Sequence, residues 1–137
     1  MDILGLTKIL LPKLSVANVS LTPSQHPARN HVVAQDKTWK DLISVNDLEQ
    51  KWVTPVSLGR RQFAVYDAPG GIYVSLALCT HGGADLCDGY FDGHVIECPL
   101  HQGYFDVRSG KALGAPATKP LRTFDVRIET GLVKILI

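Results

Sequence analysis

The chain has 137 residues, of which 45% are hydrophobic and 20% charged, and its formal net charge is +1. These totals describe an ordinary globular domain with room for a tail, and they give no global case for nucleic acid or an anionic membrane as partner. Three cysteines are too few, and the wrong number, for a disulfide scaffold, which suits a reducing compartment.

The start, MDILGLTKILLPKL, is apolar, but Asp2 stands where a signal peptide would carry positive charge. Lys8, Pro12 and Lys13 interrupt the run, which is too short for the roughly 20 residues that span a bilayer. No later stretch is long enough either, so a cytoplasmic protein without a membrane anchor is expected. Ile3, Leu6, Ile9 and Leu10 would share one face of a short helix, which Pro12 would end or bend. The following stretch, with Pro23 and Pro27, holds few large apolar residues. Residues 1–37 are therefore expected to be a poorly ordered extension, with His26 and His31 simply solvated.

From Trp39 onward the signals are strands and turns. TWKDLISV is rich in β formers, and NDLEQ reads as a turn or one helical turn. WVTPVSL is a strand whose Pro55 belongs at a sheet edge. Gly59 and Arg60 turn the chain into RQFAVYD, and APGG turns it again into IYVSLAL. HVIEC, GYFDV, LRTFDVRIE and LVKILI continue the pattern, with Gly131 turning the last hairpin. Short strands at this spacing predict an all-β fold, a small antiparallel sandwich or barrel over residues 38–137. Its expected core includes Val53, Val56, Phe63, Val65, Ile72, Val74, Leu76, Val95, Ile96, Phe124, Val126, Ile128, Val133 and Ile135.

Two loops carry the chemistry. CTHGGADLC begins at Cys79 and ECPLHQGYF contains Cys98, so Cys79–His81 and Cys98–His101 form two close pairs. Gly82, Gly83 and Gly103 follow closely, which lets backbone N–H groups approach a bound inorganic group. Two thiolates and two imidazoles suit either zinc or iron–sulfur. Zinc fingers usually pair Cys with Cys and His with His on a hairpin and a helix. Here each loop mixes the two, and no helix is expected. Mixed pairing makes sense if two metals are bridged, with Cys79 and Cys98 on one iron and His81 and His101 on the other, the asymmetry of a Rieske [2Fe–2S] centre.

The sequence C-T-H, sixteen residues, C-P-L-H resembles the Rieske motif, and ECPLHQGYFDVRSGKALGAPATKPLRTFDV is similar to the soluble Rieske ferredoxins of bacterial ring-hydroxylating oxygenase systems. The resemblance covers roughly residues 39–137. It implies a Rieske-type body with a two-loop cluster-binding subdomain over about residues 78–106, and one [2Fe–2S] cluster per chain held by Cys79, His81, Cys98 and His101. The cysteines would bind a buried iron and the histidines an exposed one. A third, proline-containing loop would lie nearby, and GAPATKP, residues 114–120, fits it, with Pro116 the expected contact. High-potential members carry two bracing cysteines, for which this chain has Ala84 and Leu100. They also carry serine and tyrosine donors, matched here by Gly103 and Phe105. A neutral two-thiolate, two-imidazole cluster without those donors is expected at the low end of the Rieske range, near roughly −150 mV.

The implied function is a one-electron carrier, not an enzyme, taking electrons from a flavoprotein reductase and passing them to a terminal Rieske oxygenase acting on an aromatic compound. No substrate site or dinucleotide-binding glycine fingerprint is found. Alternatives are a Rieske-like small subunit of nitrite reductase, a module of a larger fused electron-transfer protein, or a zinc-binding interaction domain. A small shuttle is expected to be monomeric. Between Cys79 and Asp106 stand Asp85, Asp88, Asp92, Glu97 and Asp106 with no Lys or Arg, an acidic collar that would steer the protein onto basic patches. Cys87 reads as a free thiol beside the first loop, and His94 as a turn residue.

Overall fold

The computed structural model describes residues 36–48 and 52–137. The extension predicted over residues 1–37, with His26 and His31, therefore lies outside the described residues, apart from Asp36 and Lys37. Eleven short strands follow in order: β1 Trp39–Ser44, β2 Val53–Leu58, β3 Arg61–Ala68, β4 Gly71–Leu76, β5 Tyr90–Phe91, β6 Val95–Glu97, β7 Tyr104–Asp106, β8 Ala112–Gly114, β9 Thr123–Phe124, β10 Val126–Glu129 and β11 Leu132–Leu136. Single 3-10 turns at Val45–Asp47 and Leu86–Asp88 are the helical segments among the described residues. The all-β expectation is met.

The strands make three antiparallel sheets, ordered β1-β11-β10, β2-β3-β4-β9 and β5-β6-β7-β8. Strand β2 lies at an edge, where the missing amide of Pro55 costs no ladder bond. The turn glycines Gly59 (φ +62°) and Gly131 (φ +75°) adopt the left-handed conformation that tight hairpins require.

Strand β3 explains how one small chain builds two cores. Phe63, Ala64, Val65 and Tyr66 are consecutive and all fully buried. Because side chains alternate across a strand, Phe63 and Val65 join Val74, Val133 and Ile135 on one side. Ala64 and Tyr66 join Leu86, Ile96, Phe105, Val107 and both Cys79 and Cys98 on the other. The first core welds the β2-β3-β4-β9 sheet to β1-β11-β10; the second welds it to the β5–β8 sheet. Each large apolar side chain fully buried here stabilises the fold by about 1.5–3 kcal/mol. The hydroxyl of Tyr66 is buried in the second core and hydrogen-bonded to Ser75 Oγ at 3.0 Å. Ser75 donates in turn to the Leu76 carbonyl at 2.9 Å, so neither hydroxyl is left unpaired. Burial, above all, holds the Tyr66 phenol neutral throughout the ordinary pH range.

One predicted core residue is displaced. Ile128 is 56% exposed. It pairs with the buried Val133 and so lies on the inner face. But β10 is an edge strand and Ile128 sits beside the Gly131 turn, where no neighbouring strand covers it. Residues absent from the predicted core, Tyr66, Leu86, Phe105 and Val107, are fully buried on the loop-bearing side.

Candidate metal centre

Cys79 follows β4 and Cys98 follows β6, so the two loops spring from different sheets rather than from one. They are nonetheless built to one plan. In each, the residue before the cysteine pairs with the residue six positions after it: Leu78 with Asp85, and Glu97 with Tyr104. In each, the cysteine N–H donates to the carbonyl five residues on, Cys79 to Ala84 and Cys98 to Gly103, both at 2.8 Å. In each, the amide four residues on donates back to the cysteine carbonyl, from Gly83 at 2.9 Å and from Gln102 at 3.2 Å. The residue making that return bond is left-handed in both, Gly83 at φ +69° and Gln102 at φ +56°.

This plan turns the cysteines inward and the histidines outward. Cys79 and Cys98 are 3% and 2% exposed, and neither forms a disulfide. Burial pushes the Cys98 thiol up, while the amides of Leu100 and His101 point at its sulfur and pull it down. The two thiols lie close enough for Cys79 to push the Cys98 thiol up as well. His81 and His101 are exposed, their rings 5.2 Å apart and nearly perpendicular. The four predicted ligands thus come together as two pairs, thiols below and imidazoles at the tip. Among the described residues no three His, Cys, Asp or Glu side chains converge on a single point as a mononuclear metal cage would need.

The third loop lies against the first two, as the resemblance implied, and its Ala115–Pro116 peptide is cis. It is tied to the first loop by Thr80 Oγ1, which donates to the Lys119 carbonyl at 2.7 Å. It meets the second at Gly103, where an added Cβ would stand 3.0 Å from the Ala117 Cβ. These ties run through Thr80, Ala117 and Lys119, none of which was singled out from the sequence. Thr80 occupies the unspecified position of C-x-H, and only the folded chain shows what its hydroxyl reaches.

Other predicted residues fall outside this pair of pairs. Cys87 is half-buried and hydrogen-bonds to Asp85; burial first, then that bond and the carboxylates of Asp85 and Asp88, push its thiol up. His94 is exposed, and its amide donates to Asp92 Oδ1 at 2.8 Å. The acidic collar proves to be a set of working turns as well as a charge. Asp85 accepts from the Cys87 amide, Asp92 from His94 and Val95, and Asp106 from Arg108 and Ser109. Bonds from Val95 and His94 hold the Asp92 carboxyl below the usual range. Partial burial opposes the Asp106 carboxylate, but the Ser109 and Arg108 amides outweigh it and its pKa is also lowered.

Residues 38–125 match the family of the Rieske [2Fe-2S] domain. The ferredoxin component of the naphthalene 1,2-dioxygenase system of Pseudomonas putida is 44% identical over 97 residues, 71% of this chain and 93% of that protein. Among solved structures, the ferredoxin of Sphingomonas yanoikuyae B1 superposes with a TM-score of 0.68 at 39% identity, covering 73% of this chain and 99% of that one. A chain of the complex of reduced oxygenase and oxidized ferredoxin in carbazole 1,9a-dioxygenase gives 0.65 at 35% identity, covering 72% and 92%.

Proposed function

Since the chain belongs to the Rieske [2Fe-2S] domain family, we propose that Cys79 and Cys98 bind one iron of such a cluster and His81 and His101 the other. The observation that carries this is the pairing itself: two thiols buried in one core and two exposed imidazoles 5.2 Å apart, on loops of identical hydrogen-bond plan. A tetrahedral zinc site would need its donors around one point; a two-iron cluster needs them only two by two.

When bound, the cluster supplies one-electron redox chemistry near neutral net charge. The protein's part is to exclude water from the sulfur side, through Leu86, Ile96 and Phe105 in the second core. It also aims backbone amides at the Cys98 sulfur and leaves the imidazole edges at the surface as a short route for the electron. Gly103 has no side chain and the buried Phe105 no hydroxyl, so neither offers a side-chain hydrogen bond toward the cluster. A potential at the low end of the Rieske range, near roughly −150 mV, is expected.

The protein is a Rieske electron carrier of an aromatic-compound dioxygenase system, like the relatives it matches, with a terminal oxygenase as acceptor. The donor is a flavoprotein reductase, the carrier works as a cytoplasmic monomer, and residues 38–137 form the carrier domain behind an N-terminal extension. Among the described residues no helix is long and apolar enough to cross a membrane. The test is purification under anaerobic conditions with iron and acid-labile sulfide analysis. It is followed by reconstitution with the reductase and oxygenase of a naphthalene dioxygenase system. Matching iron and sulfide and reductase-dependent substrate oxidation are expected; iron without sulfide, or zinc, would reject the reading.

A further inference from the structure

One flank of the loop-bearing end carries a groove that the proposed cluster leaves unused. Its volume is about 480 Å³, and Trp52, Tyr90, Phe91, Cys87 and Asp92 line it. Trp52 is 54% exposed and Tyr90 70%, although both are large apolar rings. Trp52 is not loose: its ring meets Phe91 edge-on with centroids 6.4 Å apart, and it stands beside Gly93. Phe91 is backed in turn by Tyr66, at 5.4 Å. A rigid stack therefore rises from the second core and ends in two open aromatic faces. Rigid, exposed Trp and Tyr in one concavity are what protein-binding hot spots are made of.

The charge around this groove decides what fits it. Among the described residues that line it none is cationic. Asp92 is in the lining, Asp88 stands exposed beside it, and Glu97 is paired with Tyr90 across the β5–β6 ladder. Glu97 also directly precedes Cys98, so the groove adjoins the second loop. A cationic side chain laid on Trp52 or Tyr90 would gain both the ring face and the carboxylates. We propose that this groove docks a lysine- or arginine-bearing protrusion of the redox partner, and so extends the contact made at His81 and His101. The proposal rests on the carrier reading above, because it supposes that the partner also faces the imidazole edges.

The probe is mitochondrial cytochrome c, a lysine-rich one-electron acceptor. Binding of the two oxidised proteins is measured by calorimetry at low and high salt. Reduction is measured by stopped flow after dithionite has reduced the ferredoxin; one electron leaves the carrier and converts one ferric haem to ferrous. Trp52→Ala and Tyr90→Ala are each expected to weaken low-salt binding about fivefold or more, with the reduction potential unchanged. Asp88→Asn with Glu97→Gln is expected to flatten the salt dependence. Ile128→Ala, on the far sheet, is the control and is expected to bind as wild type does. Tyr90 is so exposed that its removal leaves the fold intact, which keeps the test valid should Trp52→Ala unfold. Wild-type binding by Tyr90→Ala and by a folded Trp52→Ala, or no binding by the wild type at low salt, overturns the groove. Binding that is sensitive to both substitutions but followed by no electron transfer upholds the groove and rejects the carrier reading.

Discussion

The loops at Cys79 and Cys98 share a backbone plan but not their surroundings, and the differences show which parts of each sequence serve geometry and which serve neighbours. The second loop is the tip of a true hairpin, β6–β7, with strand pairs below it. The first is closed by the isolated Leu78–Asp85 bridge and is held from outside by Thr80 on Lys119. At the left-handed position the first loop has glycine and the second tolerates Gln102. Five residues after the cysteine the order reverses: the first has Ala84, while the second has Gly103, pressed by the third loop. Equivalent backbone positions thus call for opposite residues, because one is governed by φ and the other by a neighbour's methyl group.

The strongest challenge to this equivalence is removal of a thiol. Cys79→Ala and Cys98→Ala should each abolish cluster binding, read as loss of iron and of visible absorption; a cluster surviving either one would break the symmetry. Next comes Gly103→Ala. Its Cβ would meet the Ala117 Cβ at 3.0 Å, and overpacking of this kind costs about 1–3 kcal/mol. Gly82→Ala, whose nearest neighbour is His101 at 3.6 Å, should be close to neutral by comparison in a denaturant titration.

Gly83→Ala meets nothing within 4 Å, so its expected cost of about 1–2 kcal/mol is the left-handed backbone alone. Gln102→Gly should change stability by less than about 1 kcal/mol, since relief at φ +56° is offset by a freer unfolded chain. Equal losses at the two sites would contradict the account. Thr80→Val removes one hydrogen bond, worth about 0.5–1.5 kcal/mol. It should shorten the cluster's lifetime in air more than global stability suggests, because the bond holds only the loosely anchored loop.

Acid should act mildly, and first on the second loop's hairpin, which Asp92 and Asp106 brace from the turns at either side. Both carboxyls have lowered pKa values in the folded protein. Their contribution is therefore complete above the ordinary carboxylate range and is lost as pH falls through the lower folded values. Asp92→Asn and Asp106→Asn should flatten that acid limb of the stability profile, followed by circular dichroism.

Much of this was legible in the residues alone. Alternating β formers between Gly and Pro turns marked β1–β4, β6, β7 and β11, Pro55 the edge position of β2, and the mixed Cys–His spacing the four proposed ligands; β5 and β8 went unmarked, and LRTFDVRIE divides into β9 and β10 in two different sheets. The second core was harder to see. Tyr66 and Phe105 bury against the loops only because β3 is covered on both faces, and periodicity within one strand does not say how many sheets cover it. Thr80, Ala117 and Lys119 were invisible for a related reason: their contacts join residues up to 39 positions apart, through a loop with no period of its own. Ile128 failed in the opposite direction, because an inward-facing residue on an edge strand need not be covered.

The most direct test is pulsed EPR of the dithionite-reduced protein. Strong coupling of the unpaired electron to two histidine nitrogens is predicted, with one lost in His81→Cys and the other in His101→Cys. A reduced cluster without nitrogen coupling, or coupling unchanged by both substitutions, would contradict the assignment of these four side chains.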